Sequence, residues 1–291
     1  MATPSRSDLR GMLAMAGTAF CWSLGGLFIK LIDWHPFAIA GARSTVAALF
    51  ILAVLRKPKI TWSRDQLVAA FANALTMLLF VYANKHTSSA NAILLQYGAP
   101  VYVALLSGIF LKERPLPEQI LALFAVMGGM LLCFADSFSL GHLDGDIAAV
   151  LAGFTFAINL LFMRRQKEGS PLESFLMGHV ITAICAGAIS LFMPPVRLSL
   201  LSLGAVLALG VLQIGLAAVL FSYAIKRVTA IQSSLIAIIE PALNPVWVFL
   251  VLREAPTARA IAGGLIIVLA VSISSVITVS RRQASVQTGT S

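Results

Sequence analysis

The sequence predicts an all-α integral membrane protein of ten transmembrane helices, built as two inverted five-helix repeats. Composition is the first reason: 59% of the 291 residues are hydrophobic and 11% charged, with a mean hydropathy of +0.91, outside the range of soluble domains. The second is run length. About ten apolar runs separated by short polar breaks reach the roughly 20 residues that cross a bilayer at 1.5 Å each. The third is self-similarity: LFVYANK at 79–85 returns as LFSYAIK at 220–226, 141 positions later, with five of seven letters shared.

The first run, 11–31, carries Trp22 and continues to Lys30, so it reads as a spanning helix and not a cleaved signal peptide. The second, 36–55, holds Arg43. The third, 65–84, ends in the repeated stretch with Tyr82, and the fourth, 88–111, carries Asn91, Gln96, Tyr97 and then Pro100. The fifth, 116–135, contains GGMLL from Gly128, small residues that admit a close neighbour. The sixth, 145–164, includes AAVLAGFTFAINLLFM, apolar on every face where a β-barrel strand would alternate, with Phe156 and Asn159 inside it. The seventh, 172–193, holds His179, and the eighth, 200–225, holds Gln213 and Tyr223. The ninth, 229–252, holds Ser233, Ser234, Glu240, Pro241 and Pro245, and the tenth, 256–279, has the close-packing pair Gly263 and Gly264. The polar tail after Arg282, residues 283–291, is expected to be disordered.

The repeat extends beyond its seven letters. At the same offset Pro100 meets Pro241, Glu113 meets Glu254 and Pro115 meets Pro256, so that APVYVALLSGIFLKERP lies over EPALNPVWVFLVLREAP. At an offset of 134, WSLGGLFIK (22–30) lies over FAINLLFMR (156–164) and pairs Trp22 with Phe156. Residues 1–140 and 141–282 thus form two five-helix copies. Five is odd, so the second copy crosses the membrane in the opposite sense, the arrangement of many secondary transporters.

The net charge of +9 is topological. With ten helices, 15 of the 21 Lys and Arg residues fall on one side, among them Arg6, Arg10, Arg56, Lys57, Arg164, Arg165, Lys226 and Arg281. The positive-inside rule makes that side the cytoplasm and places both termini there; no nucleic-acid partner is expected. Cys21, Cys133 and Cys185 all sit in apolar runs and indicate neither a disulfide framework nor a metal cluster. The sequence has no P-loop, no H-E-x-x-H and no G-x-S-x-G, so no catalytic residue, metal or cofactor is assigned and an enzyme is not expected.

Ionisable groups at membrane depth are functional candidates by default. Glu240 lies about 16 Å into its helix at 1.5 Å per residue, beside Pro241, which frees a backbone carbonyl. A carboxylate there serves as a proton-coupling site or meets a substrate ammonium; equally, it serves as a structural partner of Arg43. Arg43 in turn suits a substrate carboxylate or an ion pair, and His179 a proton relay or an interhelical hydrogen bond. Tyr82, Asn91, Gln96, Tyr97, Asn159, Gln213, Tyr223 and Ser234 add uncharged groups, each a candidate contact or simple glue between helices. Trp22 and Phe156 complete an aromatic-walled cavity with polar anchors. Pro100 and Pro241, matched in the repeat, are the hinge candidates.

These features resemble the drug/metabolite transporter superfamily, in particular its EamA-type members. Trp22, Arg43, APVYVALLSGIFLKE and its echo EPALNPVWVFLVLRE carry the resemblance, which covers about residues 10 to 280. Within that group the chain resembles the YddG-type exporters of aromatic amino acids. The resemblance implies a bacterial inner-membrane carrier, a monomer or weak dimer among membrane lipid. It would export a small metabolite, an amino acid or a relative, through a central cavity. Proton coupling and facilitated diffusion both remain open; the alternative is a carrier of the same superfamily for another metabolite or drug, and behind it a channel or an intramembrane enzyme.

Overall fold

A computed structural model describes residues 6–87, 89–135, 142–252 and 257–287. Every regular element among them is helical. In chain order these are α1 (Arg6–Ser23), α2 (Gly25–Lys30), α3 (Pro36–Leu55), α4 (Arg64–His86), α5 (Ser89–Gln96), α6 (Ala99–Phe110) and α7 (Pro117–Phe134). Then follow α8 (Leu143–Arg165), α9 (Pro171–Ser190), α10 (Leu200–Ala208), a π-helical stretch (Leu209–Leu216), α11 (Ala217–Ala224), α12 (Ala230–Ala237), α13 (Ile239–Leu252) and α14 (Ala258–Gln287). Among the described residues eight stretches are long and apolar enough to cross a membrane, and two shorter apolar helices cover Pro117–Cys133 and Ala230–Leu243. The chain is therefore a multi-pass membrane protein.

Helix starts follow local chemistry. Pro36, Pro117 and Pro171 occupy first-turn positions where no N–H is required. Ser63, Ser199 and Thr229 hydroxyls accept from the backbone N–H groups of Gln66, Ser202 and Gln232 at 3.1–3.3 Å. The predicted spans are interrupted at four places. The first breaks at Leu24, between α1 and α2; the eighth widens into the π-helical stretch; the fourth breaks at Tyr97–Gly98 and the ninth at Ile238, each shortly before its proline. Pro100 has no N–H to bond the carbonyl of Gln96. That carbonyl instead lies 2.5 Å from where a Cβ on Gly153 would stand, so α8 approaches the break only because residue 153 is glycine.

The last helix continues to Gln287, past Arg282 where the sequence predicts a disordered tail. No Gly or Pro interrupts 281–287. Glu254 and Pro256, the sequence partners of Glu113 and Pro115, lie outside the described residues.

Packing is between long-range partners: α3 against α9, α4 against α8 and α9, α7 against α14, and α1 against α11 and α13. Gly129 and Gly263 bring α7 and α14 together, whereas Gly128 faces open space. Leu105, Ile109, Leu121 and Phe124 are exposed, each by 69–74%, as helix faces turned to lipid are. A Cβ at Gly11 would meet Arg227 and Val228, while one at Gly145, 134 positions later, would meet His86 and Thr87, 141 positions before those two. Asn91 Nδ2 donates to Asp146 at 3.1 Å, and Gln232 Nε2, 141 positions after Asn91, lies 3.2 Å from the Met12 sulfur, 134 positions before Asp146.

Candidate functional site

The fourth and ninth spans meet at their breaks. Tyr97, at the break between α5 and α6, donates its phenolic hydrogen to the carboxylate of Glu240, in the first turn of α13. Burial of Tyr97 at 8% exposure makes this bond matter, since an unpaired polar group there would be costly. Arg43 on α3 is buried to 7% and lies within electrostatic reach of Glu240 and of the His179 imidazole. Its Nη2 reaches the Met77 sulfur at 3.8 Å, and its Nε has no hydrogen-bond partner among the described residues. His179 Nδ1 is 3.4 Å from the hydroxyl of Ser44.

An aromatic wall adjoins these groups. Trp22 packs edge-on to Phe156 at 5.9 Å between ring centroids and tilts against Phe221 at 5.8 Å. Phe175 stacks near His179 and meets Phe221 edge-on at 5.3 Å. Trp22 and Phe156, paired at the 134-residue offset, are in contact with each other. A guanidinium, a carboxyl group, a phenol, an imidazole and an aromatic wall thus come from α1, α3, α8, α9, α11, α13 and the break after α5.

Other candidates lie elsewhere. Asn91 is fully buried against Asp146, and Asn159 donates to the Ala69 carbonyl at 2.8 Å, joining α8 to α4. Ser234 folds back on the Ile231 carbonyl within its own turn. Tyr82 and Tyr223 are exposed near helix ends, Tyr82 stacked on His86 and Tyr223 under the Arg227 guanidinium at 3.5 Å. Gln96 is partly buried at the α5 break. Gln213 lies in the π-helical stretch beside Gly25, with its Oε1 buried and unpartnered among the described residues.

Sequence reasoning missed Ser44, Met77, Phe175 and Phe221. Phe221 was within reach, because it belongs to the repeated LFSYAIK; its ring points inward and fully buried while Tyr223 points out. The π-helical stretch carried a signal too, in Gly210 and Gly215. A Cβ on Gly210 would collide with the Val46 side chain, and one on Gly215 would stand 2.5 Å from the Phe50 ring.

The EamA-like transporter family matches residues 9–135 and again 143–276. The chain belongs to this family. Among its relatives is the pseudopaline exporter CntI of Pseudomonas aeruginosa, 30% identical over 238 residues that cover 78% of this chain and 82% of that one. Solute carrier family 35 member G1 of Mus musculus is 28% identical over 186 residues, 57% of this chain. The chain spans about half the length of that protein and of its human counterpart. A crystal structure superimposes with a TM-score of 0.80 over 97% of this chain and 99% of that one at 19% identity, which establishes the common fold. Family and relatives alike are transporters, not enzymes.

Proposed function

We propose that this EamA-family protein is an inner-membrane carrier that exports small zwitterionic metabolites, foremost aromatic and neutral amino acids. It works by alternating access between two inverted five-helix repeats, residues 1–140 and 141–282, with ten spans and both termini in the cytoplasm. The observation that carries the reading is the pair Arg43 and Glu240. A guanidinium from the first half and a carboxyl group from the second lie within electrostatic reach of each other, and the cluster of Trp22, Phe156 and Phe221 is joined to them through Phe175 and His179. An amino acid presents the complement: a carboxylate for Arg43, an ammonium for Glu240 and a side chain for the aromatic wall. Pro100 and Pro241, beside the two helix breaks, would act as the hinges.

The inverted repeat is supported by contacts that recur with the halves exchanged. Gly11 with Val228 repeats as Gly145 with Thr87, and Asn91 with Asp146 repeats as Gln232 with Met12. A second support is that the family matches the chain twice, once in each half. Membrane sidedness rests on the Lys and Arg distribution.

The deciding experiment is uptake of radiolabelled amino acids into liposomes holding the purified protein, competed with unlabelled metabolites, with and without a pH gradient. Pseudopaline belongs in the competition panel because a relative exports it. Saturable movement of Phe, Trp, Tyr or Thr supports the reading, and the gradient distinguishes proton coupling from facilitated diffusion. Absence of movement for every amino acid would overturn the amino-acid assignment, and unsaturable current would indicate a channel.

A further inference from the structure

The Tyr97–Glu240 bond joins the two interrupted helices at their breaks. Tyr97 follows the last residue of α5, and Glu240 is the second residue of α13. The bond therefore ties the first half's hinge to the second half's hinge, 143 residues away in sequence. It also exists in one copy. The position 141 residues after Tyr97 is Ile238, and the position 141 before Glu240 is Ala99, so the equivalent place across the repeat is apolar. A bond made for general packing of the two copies would recur; this one does not.

The same carboxylate is the anionic group of the proposed site. The phenol occupies Oε2 of that carboxylate, so an ammonium that takes the same oxygen at close range competes with it for that place. We infer that Tyr97 is a latch that stands in for the substrate ammonium on Glu240 in the empty carrier, and that a primary ammonium displaces it and releases the two helix breaks from each other. The ligand class is accordingly a metabolite with a primary ammonium group. This deepens, and rests on, the reading of the central cluster as a zwitterion site. Occupancy and hinge freedom are linked because one carboxylate serves both: the ligand shifts the balance only through its stronger hold on the unlatched form.

The test uses three probes of one shape, L-phenylalanine, phenethylamine and 3-phenylpropionate, with binding to the purified protein followed by tryptophan fluorescence. Tyr97→Phe removes the competitor, so both ammonium-bearing probes should bind about tenfold more tightly while 3-phenylpropionate is unchanged. Glu240→Gln keeps an acceptor for the Tyr97 hydroxyl but loses the charge, so the same two probes should bind at least about tenfold more weakly. A Tyr97→Phe effect that is absent, or equal for all three probes, overturns the latch.

A ligand-free measurement separates this from failure of the site reading. Spin labels at Ile109→Cys on α6 and Leu250→Cys on α13, both exposed positions, in a background without native cysteines, report how tightly the two broken helices are held. The latch requires a narrow distance distribution in the empty protein that broadens in Tyr97→Phe and stays narrow in Glu240→Gln. If no probe binds while the distribution broadens, the zwitterion assignment fails and the latch stands for another cation. An unbroadened distribution overturns the latch whatever the probes do.

Discussion

Removing the carboxylate of Glu113 should destabilise the protein through one identifiable ion pair. Glu113 follows α6 and Arg164 lies in the last turn of α8, and their Nε–Oε1 distance is 2.9 Å with side-chain exposures of 8% for Arg164 and 20% for Glu113. The second carboxylate oxygen accepts the Ala230 N–H, at the start of α12, at 3.0 Å. Arg164 also donates to the Ile225 carbonyl at 2.7 Å, so this one carboxylate and one guanidinium hold together the ends of α6, α8, α11 and α12. In Glu113→Ala the charge-assisted bond is lost, worth about 1.5–3 kcal/mol, and a helix N–H loses its acceptor, worth about 1 kcal/mol more. The guanidinium, largely buried, is left with a carbonyl alone, so the total should be about 3 kcal/mol. At roughly 2 °C per kcal/mol for a chain of this size, apparent Tm should fall by about 6 °C. The assay is thermal unfolding of the purified protein in detergent, run as a double-mutant cycle with Arg164→Met. A coupling energy of about 1.5 kcal/mol or more is expected; coupling below about 0.5 kcal/mol would refute the claim that this pair holds the helix ends.

Three further perturbations have readable outcomes. Asp146→Ala removes the acceptor of both Thr87 Oγ1 at 2.7 Å and Asn91 Nδ2 at 3.1 Å, so it should lower stability by about 2 kcal/mol in the same melting assay; an unchanged Tm would contradict it. Gly263→Ala places a methyl group against the backbone of Gly129 and Cys133. The backbone cannot yield as a side chain would, so a loss of about 1–3 kcal/mol is expected, and Gly128→Ala, facing open space, should be close to neutral. Trp22→Ala deletes the ring that meets Phe156 and Phe221. In reconstituted liposomes it should raise KM for aromatic amino acids about fivefold relative to alanine; equal effects on both would remove Trp22 from the substrate wall.

Residues near in sequence explain what could be read without the fold. In lipid each backbone N–H and C=O must bond within its own segment, so a helix is a local property and its apolar run announces it. The repeat was legible for the same reason, since Pro100 and Pro241 or Trp22 and Phe156 are comparisons between letters and need no knowledge of contacts. Of the candidate residues, Tyr97 meets Glu240 and Trp22 meets Phe156, and Arg43 lies within electrostatic reach of Glu240 and of His179. Residue type alone did not separate them from Asn91, Asn159 or Ser234, which join helices or turns to one another.

By itself the sequence determined the apolar runs that become helices and the return of LFVYANK as LFSYAIK, both legible along the chain without its contacts. Tertiary structure alone decided that Tyr97 bonds Glu240 across 143 residues and that Arg164 meets Glu113 across 51. It also decided that Phe221 turns inward while Tyr223 turns out, and that the eighth span widens over 209–216 where Gly210 and Gly215 face α3. The physical reason is that a side chain's partner depends on which helices become neighbours and on their rotation, and in an apolar bundle nearly every face is apolar enough to be either.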